Sequence, residues 1–147
     1  MVGFAFHEVM EGTVQREGEN FDREFRFELE VKAPSVLAIL RTAVGDAEGR
    51  VHIDGLAKNA TARGTISISP LAEQRIRYAF DFTGDDGQPY RFEGVKVTTA
   101  RRHLSGWTTL VGRVYEADGS VWGRAVLRFS MRRDFGGLVR SVRLRSA

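Results

Sequence analysis

The chain predicts an all-β fold, an antiparallel up-and-down β-barrel of the lipocalin or calycin kind, with a β-sandwich as the alternative. Three observations carry that expectation. Apolar and polar residues alternate with period two over most of the 147 residues, the pattern of strands with one buried face. Asp-Gly turns at Asp86-Gly87 and Asp118-Gly119 join runs of alternation into hairpins. The strands are long and polar on one face, so the other face needs an apolar partner, which a closed or doubled sheet provides. The hairpin-linked order favours the barrel.

Taken in order, Phe6 to Gln15 reads as a strand interrupted at Glu11-Gly12. The polar turn Arg16 to Asn20 pairs it with the next strand, in which Phe25, Phe27, Leu29 and Val31 alternate with Arg26, Glu28, Glu30 and Lys32. Ala33 to Gly45 departs from period two. Leu37, Leu40 and Val44 recur at helical spacing, Pro34 suits a first turn and Gly45 a stop. One short helix after the second strand is therefore expected, covering an end of the sheet or gating its interior.

A loop through Asp46 to Gly49 precedes strands at Arg50 to Ala57 and Ala62 to Ser69. The stretch from Arg75 to Arg113 shows the alternation most plainly, with Ile76, Tyr78, Phe80 and Phe82 on one face, then Tyr90 and Phe92 across the turn. Val95 and Val97 have the opposite parity to Tyr90 and Phe92, which predicts a β-bulge at Gly94. Arg101-Arg102-His103 form a basic connection to a last hairpin, Trp107 to Glu116 and Val121 to Arg132, and Leu138 to Leu144 close the chain. Trp122 has the opposite parity to Leu127 and Phe129 and is expected on an exposed patch or a subunit contact. The total is roughly eight or nine strands in one domain spanning residues 1–147. Gly12, Gly94, Gly112 and Gly123 supply the kinks that barrel closure needs.

Composition excludes several function classes. Cysteine is absent, which removes disulfides, thiolate metal sites and a cysteine nucleophile and fits a cytoplasmic protein. No apolar run is long enough for a membrane helix, and the N-terminal residues lack the basic leader of a signal peptide. The net charge is only +3 although the pI is about 9.7, and arginines and aromatics fall on opposite parities, so no nucleic acid is expected as a partner.

Short stretches of the chain resemble a known domain. Phe6-His-Glu-Val-Met-Glu-Gly, Phe25-Arg-Phe-Glu-Leu-Glu-Val, Gly49-Arg-Val-His-Ile-Asp-Gly and Arg63-Gly-Thr-Ile-Ser-Ile carry part of the likeness. Arg77-Tyr-Ala-Phe-Asp-Phe, Tyr90-Arg-Phe-Glu-Gly-Val-Lys-Val and Trp107-Thr-Thr-Leu carry the rest. Together they are similar to the β-rich accessory domain of cholesterol-oxidase-like flavoproteins, in the glucose-methanol-choline oxidoreductase family. Those relatives tend to hold an acidic residue between the tryptophan and the threonines, whereas Trp107 meets Thr108 directly. The chain also lacks the Gly-x-Gly-x-x-Gly fingerprint for FAD. The resemblance therefore implies a stand-alone relative of an accessory domain, with no cofactor of its own expected, and it does not imply an oxidase.

Few residues suggest chemistry. His7, His52 and His103 form no metal-ligand pattern, so no metal is expected. His52 and Asp54 share a strand face at i and i+2, half of an acid–base device, or simply two residues of a solvated face. His103-Leu-Ser105 lacks a nucleophile elbow. The aromatics are more informative. Phe27, Tyr78, Phe80, Tyr90, Phe92 and Trp107 either pack a tight core or line a cavity for an apolar ligand. The expected function is non-enzymatic binding of a small hydrophobic molecule, lipid- or sterol-like. The alternative is an interaction module that docks on a separate flavoprotein or forms a homodimer.

Overall fold

A computed structural model describes residues 2–33, 43–69, 75–97, 109–129 and 143–146. They form nine strands: β1 (Val2–Arg16), β2 (Arg23–Ala33), β3 (Ala43–Ile53), β4 (Ala57–Ser69), β5 (Arg75–Thr83), β6 (Pro89–Val97), β7 (Thr109–Glu116), β8 (Val121–Phe129) and β9 (Arg143–Ser146). Each of β2 to β8 pairs antiparallel with its neighbour in sequence. The ring closes because β1 pairs with β2 on one side and with β8 on the other. β9 extends that second edge, meeting Val2 to Ala5 while β8 meets Met10 to Arg16. The up-and-down barrel is thus the fold, and the sandwich alternative is excluded by closure.

The register fixes the barrel's shape. Starting at Phe6 and stepping across paired residues through Val31, Ala47, Gly64, Phe80, Phe92, Val114 and Gly123 returns to β1 at Arg16. The return falls ten residues beyond the start. A stagger of this kind obliges the strands to tilt by roughly 35–45° to the barrel axis. The tilted strands must bend, and glycine marks the bends. A Cβ on Gly64 would lie 1.8 Å from the Ala79 carbonyl oxygen, and one on Gly12 would lie 2.0 Å from that of Val126.

One end of the barrel is finished by tight turns at residues 17–22, 54–56, 84–88 and 117–120. Gly18, Gly55, Gly87 and Gly119 take positive φ there, the backbone that such turns require. The connections at the other end lie outside the described residues.

Several expectations need correction. Asp46 to Gly49 belongs to β3 and is not a loop. Its inward positions, Gly45, Ala47 and Gly49, are small because the neighbouring strand crowds them. A Cβ on Gly49 would meet the Glu28 carbonyl oxygen at 1.7 Å, so the apolar face that signals a strand is muted there. The expected helix meets strand at both ends, with Ala33 in β2 and Ala43 to Gly45 in β3, while 34–42 lie outside the described residues. No helix occurs among the described residues.

The bulge expected at Gly94 is also absent. β6 keeps unbroken register with β5 and β7, so Gly94 and Lys96 stay on the inward face with Tyr90 and Phe92. The irregularities fall elsewhere. One lies between Val51 and Ile53, where Asn59 adopts φ 53°, a left-handed conformation that asparagine tolerates. The other lies where Val114 faces Gly123 but Tyr115 faces Val121, leaving Trp122 as the extra residue. That bulge turns Trp122 inward, where it is 5% exposed and joins the core, rather than onto a surface patch.

Candidate functional site

The inward face of the barrel is layered along its axis, and the register gives the order. Nearest the tight turns, Phe82 faces Tyr90 across β5 and β6, their rings stacked at 5.8 Å. Next come Phe80 and Phe92, with ring centroids 5.1 Å apart. Phe27 from β2 lies 5.2 Å from Phe80 and 6.0 Å from Phe92. Phe25 meets Phe92 edge-on at 5.2 Å. Such tilted and edge-on pairs suit the charge distribution of aromatic rings. The paired glycines Gly94 and Gly112 make room for the Phe92 ring, since a Cβ on either would lie 2.7 to 2.8 Å from it.

The polar residues begin in the next layer. Tyr78 is paired with Gly94, and beyond it Lys96 is flanked by Ile76 and Leu110. Glu8 comes from β1, on the opposite wall of the barrel from β5. Its carboxylate reaches across the lumen. The Tyr78 hydroxyl donates to Glu8 at 2.7 and 2.8 Å from the two oxygens, and Lys96 Nζ donates to Oε1 at 2.6 Å. Lys96 Nζ also lies 5.3 Å from the centre of the Tyr78 ring. Glu8 and Lys96 are 3% and 6% exposed, the two charged residues of the described core. An ion pair carried this far from water is weak evidence for stability, because desolvation of both charges offsets most of their attraction.

Burial, the Glu8 charge and the Glu8 hydrogen bond, in that order, push the Tyr78 phenol well above its ordinary value. Beside the tight turns the Tyr90 hydroxyl donates to Asp86 Oδ2 at 2.6 Å. Burial, then this bond, raises Tyr90 to about 12, and the same bond leads in holding Asp86 below the usual carboxylate range.

The structure brings Phe27, Tyr78, Phe80, Tyr90 and Phe92 together in one interior cluster, while Trp107 lies outside the described residues. His52 and Asp54 are placed elsewhere. His52 is half-buried on the outer face, 3.7 Å from Glu24, at a surface groove of about 400 Å³ shared with Arg26, Glu28 and Arg50. Asp54 lies in the turn beyond β3 and is exposed. Among the described residues no group of histidine and carboxylate side chains could hold a metal ion.

Glu8 and Lys96 were not among the residues that sequence reasoning selected. The available signal was parity. Glu8 shares the parity of Met10 and Val14, and Lys96 that of Tyr90 and Phe92. A bulge at Gly94, as the parity of Val95 and Val97 predicts, would put Lys96 on the opposite face. The likeness in register was readable; the partner on a strand 88 residues away was not.

Comparison of the chain with protein-family models, with curated proteins and with solved structures finds no match.

Two outcomes test this geometry. Glu8→Gln and Lys96→Met should each lower the unfolding free energy by about 3–5 kcal/mol, because each strands one buried charge. The double variant should cost less than their sum in urea titrations, the mark of a direct interaction. For the phenols the sign is set by their raised values. The neutral form is favoured in the fold, so the contribution of Tyr90 is complete below its ordinary value of 10.0 and is lost as pH rises through about 12. Urea stability should therefore fall above that ordinary value, and Tyr90→Phe should flatten the slope.

Proposed function

We propose that this barrel is a non-enzymatic binding domain for a small hydrophobic molecule, lipid- or sterol-like. The observation that carries the reading is the layered lumen, an aromatic floor of Phe27, Phe80 and Phe92 beneath the polar group of Glu8, Tyr78 and Lys96. Ligand sites of this class combine an apolar lining with a few convergent polar groups that fix orientation. A core built for stability alone gains little from an internal ion pair, since apolar residues of similar volume stabilise as well or better. The resemblance to the accessory domain of cholesterol-oxidase-like flavoproteins points toward ligands of the same apolar kind.

Diphenylhexatriene, an apolar dye that brightens out of water, should bind saturably at one site per chain. Cholesterol or a long-chain alcohol should displace it. Phe92→Ala, which alters the floor without touching the ion pair, should change dye affinity. A protein that takes up no dye but sediments as a dimer, or is retained by a flavoprotein, would instead support the interaction-module reading.

A further inference from the structure

The polar group has a donor surplus that its own residues do not absorb. An ammonium group offers three N–H donors. Among the described residues the acceptor for Lys96 is Glu8, through one bond of 2.6 Å, with the Tyr78 ring beside it. Its strand neighbours across the register, Ile76 and Leu110, offer no side-chain acceptor. The Lys96 side chain is only 8% exposed, so bulk water does not freely solvate the two remaining donors. A buried donor left without an acceptor costs free energy, more so for a charged group. Tyr78 meets the ammonium with its ring, while its hydroxyl is turned to Glu8.

Charge decides what kind of acceptor fits. The Lys96 ammonium and the Glu8 carboxylate cancel, so the buried charges of the described residues sum to zero at this level. An uncharged oxygen, such as a hydroxyl or carbonyl, satisfies a free N–H and keeps that balance. A ligand carboxylate would bring a second anion close to Glu8 in a poorly solvated space, where like charges repel strongly.

Resting on the binding-domain reading above, we propose that Lys96 is the recognition residue of the site and that its ligand is an uncharged apolar molecule bearing an acceptor oxygen, with free acids discriminated against. Glu8 is the positioning residue that fixes the ammonium and supplies the neutralising charge.

The test is a displacement assay on the full chain at about pH 8, where long-chain acids are ionised, with dodecanol, dodecanoate and dodecane as the probes. Dodecanol should bind roughly tenfold or more tightly than dodecanoate, and Lys96→Met should weaken dodecanol by about tenfold, as for loss of a hydrogen bond to a charged group. Dodecane, which has no acceptor oxygen, should lose clearly less affinity than dodecanol in that variant. Dodecanoate binding as tightly as dodecanol overturns the inference, and it does so with the wild-type protein alone if Lys96→Met does not fold. Dodecanol and dodecane responding alike to the substitution overturns it too. Failure of all three chains to bind overturns the binding-domain reading itself, which separates the two failures.

Discussion

The Glu8 carboxylate ties two walls of one barrel together across its interior. It stands on β1, the strand that closes the ring, and its two partners stand on β5 and β6. Both partners must keep inward parity for the contact to exist, which requires β5 and β6 to run in continuous register past Gly94. The interaction also sets a boundary within the lumen. On the turn side of Tyr78 the inward side chains are aromatic and close-packed, and at its own level the barrel turns polar. Nonspecific collapse of apolar side chains does not produce that boundary. It is fixed by two donors, the Tyr78 hydroxyl and the Lys96 ammonium, that reach Glu8 at 2.6 to 2.8 Å.

Backbone geometry makes the arrangement feasible. Tilted strands must coil sharply to close a ring of eight, and they do so at glycines whose missing Cβ lets adjacent backbones approach. The same glycines thin the wall. Gly94 and Gly112 face each other on β6 and β7, and the Phe92 ring occupies the space they leave. Floor and wall are therefore coupled, so a side chain added at either glycine would displace the ring that forms the base of the proposed site. On the outside, charged residues are frequent among the described exposed positions, as in the ion pairs of Arg91 with Asp81 and Glu93. Val111 and Val126 are an exception, paired on the outer face and 57% and 44% exposed.

Much of the fold was legible in the sequence, for a physical reason. A strand with one buried face writes its burial into every second residue, as Phe25, Phe27, Leu29 and Val31 do. The reading failed where the inward residue was small or charged. Gly45, Ala47 and Gly49 concealed the first half of β3, because a crowded inner wall leaves no room for the bulky side chains that announce a strand. Lys96 concealed itself, because a lysine between two valines looks like the solvent side of a strand. Trp122 was misjudged because a bulge shifts parity without leaving a mark in composition. The aromatic half of the candidate site was thus readable from periodicity. The polar half depends on pairing between distant strands, and only the closed register brings Glu8 to Lys96.

The central claim is that the lumen beside Lys96 is a place for a neutral acceptor oxygen, and a high-resolution crystal structure of the protein as purified tests it most directly. An oxygen of a bound molecule or an ordered water is expected within hydrogen-bonding distance of Lys96 Nζ, in addition to Glu8. Side chains of the protein itself filling that position and accepting both remaining protons of the ammonium would contradict it.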